Sequence, residues 1–339
     1  MNISYFDEKP LLSKLDFKLD ILEKYAKNNI DCLNNMIFYG LPASGKTTKI
    51  YAFLATLFNT KVYDLKNNIF EEDRKIMHYK SSIYHIEINP INLGSNEKLF
   101  IQSFLKSYVE TRNIGLDIPK VIVIKNANLL LKQTQLSLRR IIEKNSSTAK
   151  FIFELNSLSK FAVPLVSRCF LIKIKMPTID EIKIAIQNYS IKKNIDISDK
   201  IIDEIISESN KIDTFINMKK IFGYYRYYVT TGKKFKFLYY DSFYEILAYI
   251  NNKRISFINL QKIRDIINEL YINLIPMEEL LNFIFNNIYL MNKDNLDFIY
   301  KLLDLTVNCD YNMKNGNKDC LHLESYIISI MDLIQNKSV

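Results

Sequence analysis

Short continuous apolar runs alternate with stretches whose apolar residues recur every three or four positions. Met36-Ile37-Phe38-Tyr39 reads as a short buried strand. Thr48 to Phe58 carries Ile50, Phe53, Leu54 and Leu57 at helical spacing and reads as a helix. Val121-Ile122-Val123-Ile124 is a β-branched run behind Pro119, the pattern of a central parallel strand. Lys150-Phe151-Ile152-Phe153-Glu154-Leu155 and Phe170-Leu171-Ile172-Lys173-Ile174 read as two further strands, and Met176-Pro177 closes the last. These elements predict a parallel sheet with helices on both faces over residues 1–176.

Beyond that point the pattern turns helical. Ile179, Ile182 and Ile186, then Ile201, Ile202, Ile205 and Ile206, share helical spacing and predict a small helical domain over 177–232. The polar Thr230-Thr231-Gly232-Lys233-Lys234 reads as a linker. Residues 233–339 are rich in Leu, Ile, Tyr and Phe, with one stripe at Leu281, Ile284, Ile288 and Met291 and another at Leu321, Tyr326, Ile330 and Leu333. Such stripes predict an all-α domain and its core rather than a cofactor box.

Glycine is scarce, only seven in 339 residues, so its placement is informative. Two fall in Gly40-Leu41-Pro42-Ala43-Ser44-Gly45-Lys46-Thr47, a full match to the phosphate-loop pattern G-x-x-x-x-G-K-[ST], with Thr48 opening the helix behind it. A strand before and a helix after are the context the pattern requires. The glycines let successive N–H groups turn toward a polyphosphate, and the helix N-terminus adds partial positive charge. Lys46 would reach the β- and γ-phosphates of ATP or ADP, and Thr47 would offer its hydroxyl to Mg2+.

The second strand of such a site should end in acids that steady the metal and activate water. Here it runs into Lys125-Asn126-Ala127-Asn128, with neither Asp nor Glu in place. Lys125 cannot bind Mg2+ and Asn126 cannot accept a proton from water. The next strand ends at Asn156-Ser157, readable as a turn pair or as polar groups near a γ-phosphate. Arg168, between a Pro-containing turn and a strand, is by position alone a surface charge.

Composition narrows the classes. Hydrophobic residues make up 48% and charged ones 24%, which suits ordinary globular domains. Lys+Arg 46 against Asp+Glu 37 leave +9, compatible with an anionic partner such as nucleic acid. Purely apolar runs are only a few residues long, short of the ~20 a membrane helix needs. The first twenty residues interleave charge with apolar positions and carry no signal-peptide core. Cysteines at 32, 169, 309 and 320 and histidines at 78, 85 and 322 show no metal or catalytic spacing, and the cysteines read as reduced thiols.

Taken in order, these segments resemble the small subunits of replication factor C, AAA+ loaders of sliding DNA clamps. The resemblance rests on Phe38-Tyr39-Gly40 with the phosphate loop. It continues through Ala127-Asn128-Leu129, Gln135, Leu138-Arg139-Arg140 and Glu143-Lys144. Asn156-Ser157-Leu158-Ser159 matches the sensor-1 segment, and Ser167-Arg168-Cys169 matches the family's Ser-Arg-Cys motif. Tyr84-His85-Ile86-Glu87-Ile88-Asn89-Pro90, Gly94-Ser95-Asn96 and Ile101-Gln102 are similar to the subunit at the E position of the five-subunit spiral, whose ATP site is degenerate. Thr47 departs from that subunit, which often loses this residue.

The resemblance implies an α/β AAA+ P-loop core, a helical lid and an all-α collar where subunits join. It implies a hetero-pentamer that loads a sliding clamp onto primer–template DNA, inside the cell at sites of replication, in a nucleus or a cytoplasmic replication compartment, and not at a membrane. In its terms Asn156 is sensor 1, Arg168 points into a neighbour's ATP site, and Asp213 before Ile216-Asn217 stands where a sensor-2 arginine belongs. Lys132, Arg139, Arg140 and Lys144 lie on a helix that lines the DNA channel in that family, where contacts go to phosphates; a solvated face or a subunit brace is the plainer reading. Lys233, Lys234 and Lys236 form a second basic cluster. The missing acids at Lys125 and Asn126 fit the degenerate site of the E position and imply that this chain's own site binds nucleotide but hydrolyses it poorly. The alternative is a self-sufficient P-loop ATPase of the helicase or helicase-loader type.

Overall fold

The computed structural model describes residues 33–111, 118–159, 161–193, 198–210, 218–232, 238–252, 255–293, 295–316 and 318–335. They form two compact units: the sheet with the helices through Thr231, and the helices from Leu238 onward.

The first unit is built on strands β1 (Met36–Tyr39), β2 (Lys66–Glu72), β3 (Lys75–Ser81), β4 (His85–Ile88), β5 (Lys120–Ile124), β6 (Ala149–Leu155) and β7 (Phe170–Lys173). They form one sheet in the order β2-β3-β4-β5-β6-β1-β7. From β4 to β7 every pairing is parallel, as the apolar runs predict. Sequence reasoning did not foresee the antiparallel hairpin β2–β3, which extends the sheet beyond β4 and makes it mixed.

Alternation along the strands sorts side chains onto two faces. Met36, Phe38, Val121, Val123, Ile152 and Ile172 pack under helix α1 (Lys46–Leu57), against Ile50, Phe53 and Leu54. Ile37, Ile122, Ile124, Phe151 and Phe153 face the other way. There they meet Leu138, Ile141 and Ile142 of α2 (Lys132–Lys144), and Phe100, Ile101 and Leu105 from a helical stretch over residues 90–110. Two residues beyond Val123 and Ile152, the same alternation turns Lys125 and Glu154 toward α1. That parity sets up the site.

Three helices complete this unit: α3 (Ile179–Lys193), α4 (Asp199–Asn210) and α5 (Met218–Thr231). Thr178 and Glu181 form a reciprocal cap on α3. The Thr178 N–H donates to Glu181 Oε2 at 2.8 Å and the Glu181 N–H to Thr178 Oγ1 at 3.3 Å. Ile182, Ile186, Ile202, Ile205 and Ile206 are buried as their spacing requires, while Ile179 stays exposed. The expected linker starts later than read: Thr230 and Thr231 end α5, Gly232 takes φ +67, and the Lys233, Lys234, Lys236 cluster lies outside the described residues.

The second unit holds α6 (Leu238–Asn252), α7 (Phe257–Ile272), α8 (Met277–Met291), α9 (Leu296–Asn315) and α10 (Asp319–Gln335) around one core. Leu281, Ile284 and Ile288 are in that core, as are Tyr326 and Ile330, with Leu333 packed at its edge. Met291 and Leu321, at helix ends, are exposed. Arg264 Nη2 and Glu324 Oε2, 2.8 Å apart, join α7 to α10. Among the described residues, no helix is long and apolar enough to cross a membrane.

Candidate functional site

The phosphate loop joins β1 to α1. Ala43 and Gly45 take φ +61 and +81, which turns the chain back on itself. Gly40 is required for a different reason: a Cβ there would stand 2.3 Å from the Ile174 carbonyl oxygen. Lys46 is buried, and its ammonium donates to the carbonyls of Gly40 at 2.9 Å and Leu41 at 2.7 Å, inside the loop it serves. Ser44 is buried too, and its hydroxyl has no hydrogen-bond partner among the described residues. Pro42 and Thr48 are exposed on the rim.

Beneath the first turns of α1, three adjacent strands present a row of charge: Glu87 on β4, Lys125 just past β5, and Glu154 on β6. Glu87 pairs in register with Val123, and Ile124 with Phe153, so Lys125 and Glu154 come level while Glu87 sits two residues back on the same face and meets Lys125 on the diagonal. Thr47 and Tyr51, one turn apart on α1, cover it. The Thr47 hydroxyl donates to both Glu154 oxygens, at 2.9 and 3.1 Å. The Tyr51 hydroxyl donates to Glu87, and Lys125 Nζ lies 2.9 Å from that hydroxyl, 4.9 Å from the Tyr51 ring centroid and 2.8 Å from Glu87 Oε1. Burial, followed by the charge of Glu87 and its hydrogen bond, pushes the Tyr51 phenol far up, and Glu154 adds to the effect. The position that lacks an acid therefore carries a cation with its own counter-ion, and the acids stand on either side. Glu87, Tyr51 and Glu154 had no assigned role in the sequence reading. The signal was an ionisable residue inside an apolar strand, Phe153-Glu154-Leu155.

Asn126, the other vacated acid position, adopts φ +48 with its amide 3.5 Å from Asn89 Oδ1. Asn156 and Ser157 line a cleft of about 470 Å³ together with Gly40, Leu41 and Ile174, so the structure brings Asn156 to the loop. Lys49, buried one turn along α1, has its pKa lowered by burial and partly restored by Glu181.

Arg168 is apart from this cluster and is not a bare surface charge. Its guanidinium meets Glu143 Oε1 of α2 at 2.5 Å, and Nη1 donates to the Pro164 carbonyl at 2.7 Å. Gln135 fixes the turn before it, donating to the Leu130 carbonyl and accepting from the Ala162 N–H at 2.7 Å. Of the basic residues on α2, Lys132, Arg140 and Lys144 are exposed, eight and four residues apart along one stripe, and Lys144 reaches Glu110 at 3.1 Å. Arg139 lies off that stripe and shares Glu143 with Arg168. Asp213, Ile216, Asn217 and Cys32 lie outside the described residues. Cys169, Cys309 and Cys320 are free thiols, and burial pushes Cys169 up to about 12. Among the described residues no group of three or more His, Cys, Asp or Glu could hold a metal by itself.

The parallel five-strand run, the phosphate loop and the helices behind it define a AAA+ P-loop protein. AMPPCP-bound DnaA from Aquifex aeolicus shares the fold, with a TM-score of 0.50 at 12% identity over 98% of each chain. No protein-family model matches the chain. Among curated proteins it is similar to small subunits of replication factor C along most of its length. Replication factor C subunit 3 of Arabidopsis thaliana is 26% identical over 339 residues, 96% of this chain and 95% of the relative. Subunit 5 of Oryza sativa subsp. japonica is 25% identical, covering 89% and 88%. Subunit 5 of Saccharomyces cerevisiae is 31% identical over 192 residues, and that alignment spans 54% of the yeast protein.

Proposed function

We propose that the chain is a subunit of a sliding-clamp loader, at the E position of a hetero-pentamer that places a clamp on primed DNA during replication. It works inside the cell, where DNA is being copied. Its loop binds ATP or ADP, and its own site hydrolyses poorly. The observation that carries this reading is Lys125, largely covered and paired with the buried Glu87 where a catalytic site needs its acid. Loss of that acid suits a subunit that braces an assembly rather than one that works alone. The near full-length similarity to replication factor C subunits supports the assembly itself.

Within the pentamer, Arg168 completes a neighbour's ATP site and Asn156 serves as sensor 1 in this one. Lys132 and Arg140, exposed on α2, touch DNA phosphates; such contacts are independent of sequence and weaken with salt. The helices from Leu238 onward form the collar. Exposed Phe257, Tyr271, Tyr300 and Tyr311 supply apolar surface for neighbouring subunits to cover. The test is to purify the tagged chain from its source, identify what accompanies it, and assay the complex with clamp and primed DNA. Co-purification of four further AAA+ chains with loading activity is expected. A chain that purifies alone and turns over ATP at about 1 s⁻¹ or faster would be a self-sufficient ATPase instead.

A further inference from the structure

A carboxylate beside a phosphate loop is a liability unless a cation lies with it. Glu154 is half-buried on β6, and its carboxylate faces the first turn of α1, where the β- and γ-phosphates of a nucleotide would come. Neither nearby ammonium is given to it. Lys125 is held by Glu87 and Tyr51, and Lys46 by carbonyls of its own loop. Among the described residues the hydrogen-bond donor to Glu154 is the hydroxyl of Thr47.

That bond has a direction. Thr47 gives its hydrogen to the carboxylate, which leaves the lone pairs of its oxygen for something positive. A hydroxyl oxygen with a carboxylate behind it is a hard-oxygen pair of the kind Mg2+ takes, one carboxylate together with substrate phosphates and waters. The buried hydroxyl of Ser44, without a hydrogen-bond partner among the described residues, is a further oxygen in the same loop. These residues fit the metal that P-loop proteins use, although the strand that should supply the acid supplies Lys125.

We propose that the acid has moved one strand across: Glu154 on β6, acting with Thr47, supports the Mg2+ that accompanies a bound nucleoside di- or triphosphate. Register makes the exchange workable. Ile124 pairs with Phe153, so the next residues on the two strands, Lys125 and Glu154, come level on the same face. Moving the carboxylate this way keeps a negative charge behind Thr47. It supplies no acid at Asn126 to activate water. The site then retains metal and nucleotide while lacking the group that drives hydrolysis, and the retained Thr47 has a use. The inference rests on the nucleotide-binding part of the function proposed above and is independent of the assembly.

The experiment uses the full chain. ADP affinity is measured calorimetrically with Mg2+ and with EDTA, and Mn2+ binding in saturating ADP is followed by electron paramagnetic resonance. Wild type should bind ADP more tightly with Mg2+. In Glu154→Gln that enhancement should vanish and Mn2+ should bind about 10–100-fold more weakly, the usual loss when a ligand's supporting group is removed. Its ADP affinity in EDTA should equal or exceed that of wild type, because a repelling charge has gone. Glu154→Asp should recover part of the Mn2+ signal. Metal-independent ADP binding by wild type would overturn the proposal, as would full Mg2+ enhancement in Glu154→Gln. Loss of ADP binding by that variant in both conditions would make Glu154 a structural residue. None of these results would alter which proteins co-purify with the chain.

Discussion

Lys125 and Glu87 meet at 2.8 Å on neighbouring strands, with side chains only 12% and 5% exposed. The pair joins β4 to β5 directly beneath the helix that carries the phosphate loop. Tyr51, from that helix, touches both partners. A buried ion pair adds little net stability over an apolar replacement, but breaking one side of it is costly. Lys125 is therefore built into the sheet together with its counter-ion and is not an isolated substitution.

Lys125→Met should accordingly destabilise the first unit by about 3–5 kcal/mol, through the uncompensated Glu87 carboxylate. Lys125→Asp should be worse, since it sets two carboxylates together, and should not restore hydrolysis. Glu at Asn126 would add the strain of φ +48, which Asn tolerates and Glu does not. Urea unfolding of the single variants and of Lys125→Met with Glu87→Gln checks this. The double variant should recover much of the loss; equal stability of Lys125→Met and wild type would mean that the pair is not buried in solution.

The phosphate loop and the central strands were legible because their signals are local: a fixed motif, and apolar runs four to five residues long. The charge row was not, because it exists only once the parallel register brings residue 125 level with 154 and within diagonal reach of 87. The β2–β3 hairpin was hidden for two reasons. Its strands alternate exposed and half-buried residues with few apolar anchors, and its two-residue turn, Asp73-Arg74, has φ +50 and +60 without glycine. Such a turn usually announces itself by Asn-Gly or Asp-Gly.

Arg74→Gly should therefore stabilise the hairpin. A side chain in the left-handed region costs roughly 1–2 kcal/mol, and the extra freedom of glycine when unfolded takes back part of that gain. The expected net is a gain of under about 1 kcal/mol, with slower amide exchange along residues 66–81 and no change in ADP affinity. Faster exchange there would mean that the turn is not of this type.

His85 should make stability depend on acid. It is buried beside Tyr51 and Glu87, its Nδ1 is 2.7 Å from the Ser82 hydroxyl, and its Nε2 has no hydrogen-bond partner among the described residues. Burial lowers its pKa from 6.5 to about 4; Glu87 opposes the shift and Lys125 adds to it. Between those values the unfolded chain binds a proton that the folded chain refuses. Its contribution is thus complete above pH 6.5 and is lost as pH falls toward 4, amounting to about 3 kcal/mol. His85→Asn removes this titration. Unfolding free energies measured from pH 7.5 to 4.5 should fall more steeply for wild type than for the variant, and parallel curves would count against a neutral buried imidazole.

Arg168 is aimed by its surroundings. Glu143 holds one end of the guanidinium, and the Pro164 carbonyl and the Ser167 hydroxyl hold Nη1. Arg139 binds the same Glu143 oxygen at 3.0 Å, so the carboxylate is shared between two cations and grips neither exclusively. The Glu143 pKa is lowered chiefly by its hydrogen bond to Arg139. An arginine held on an exposed surface this way is ordered in advance, yet remains free to exchange one carboxylate oxygen for a phosphate oxygen. If it reaches a neighbour's γ-phosphate, it acts as an arginine finger, worth about 10³–10⁵ in rate. Arg168→Ala should then lower DNA-stimulated ATP hydrolysis and clamp loading by the reconstituted complex while leaving ADP binding by this chain unchanged. Arg168→Lys should fail nearly as badly, because an ammonium lacks the planar fork. Glu143→Gln should cost less, since Pro164 and Ser167 still orient the side chain. Full turnover in the Ala variant, with the complex intact by size-exclusion chromatography, would reduce Arg168 to a local brace between α2 and the turn before β7.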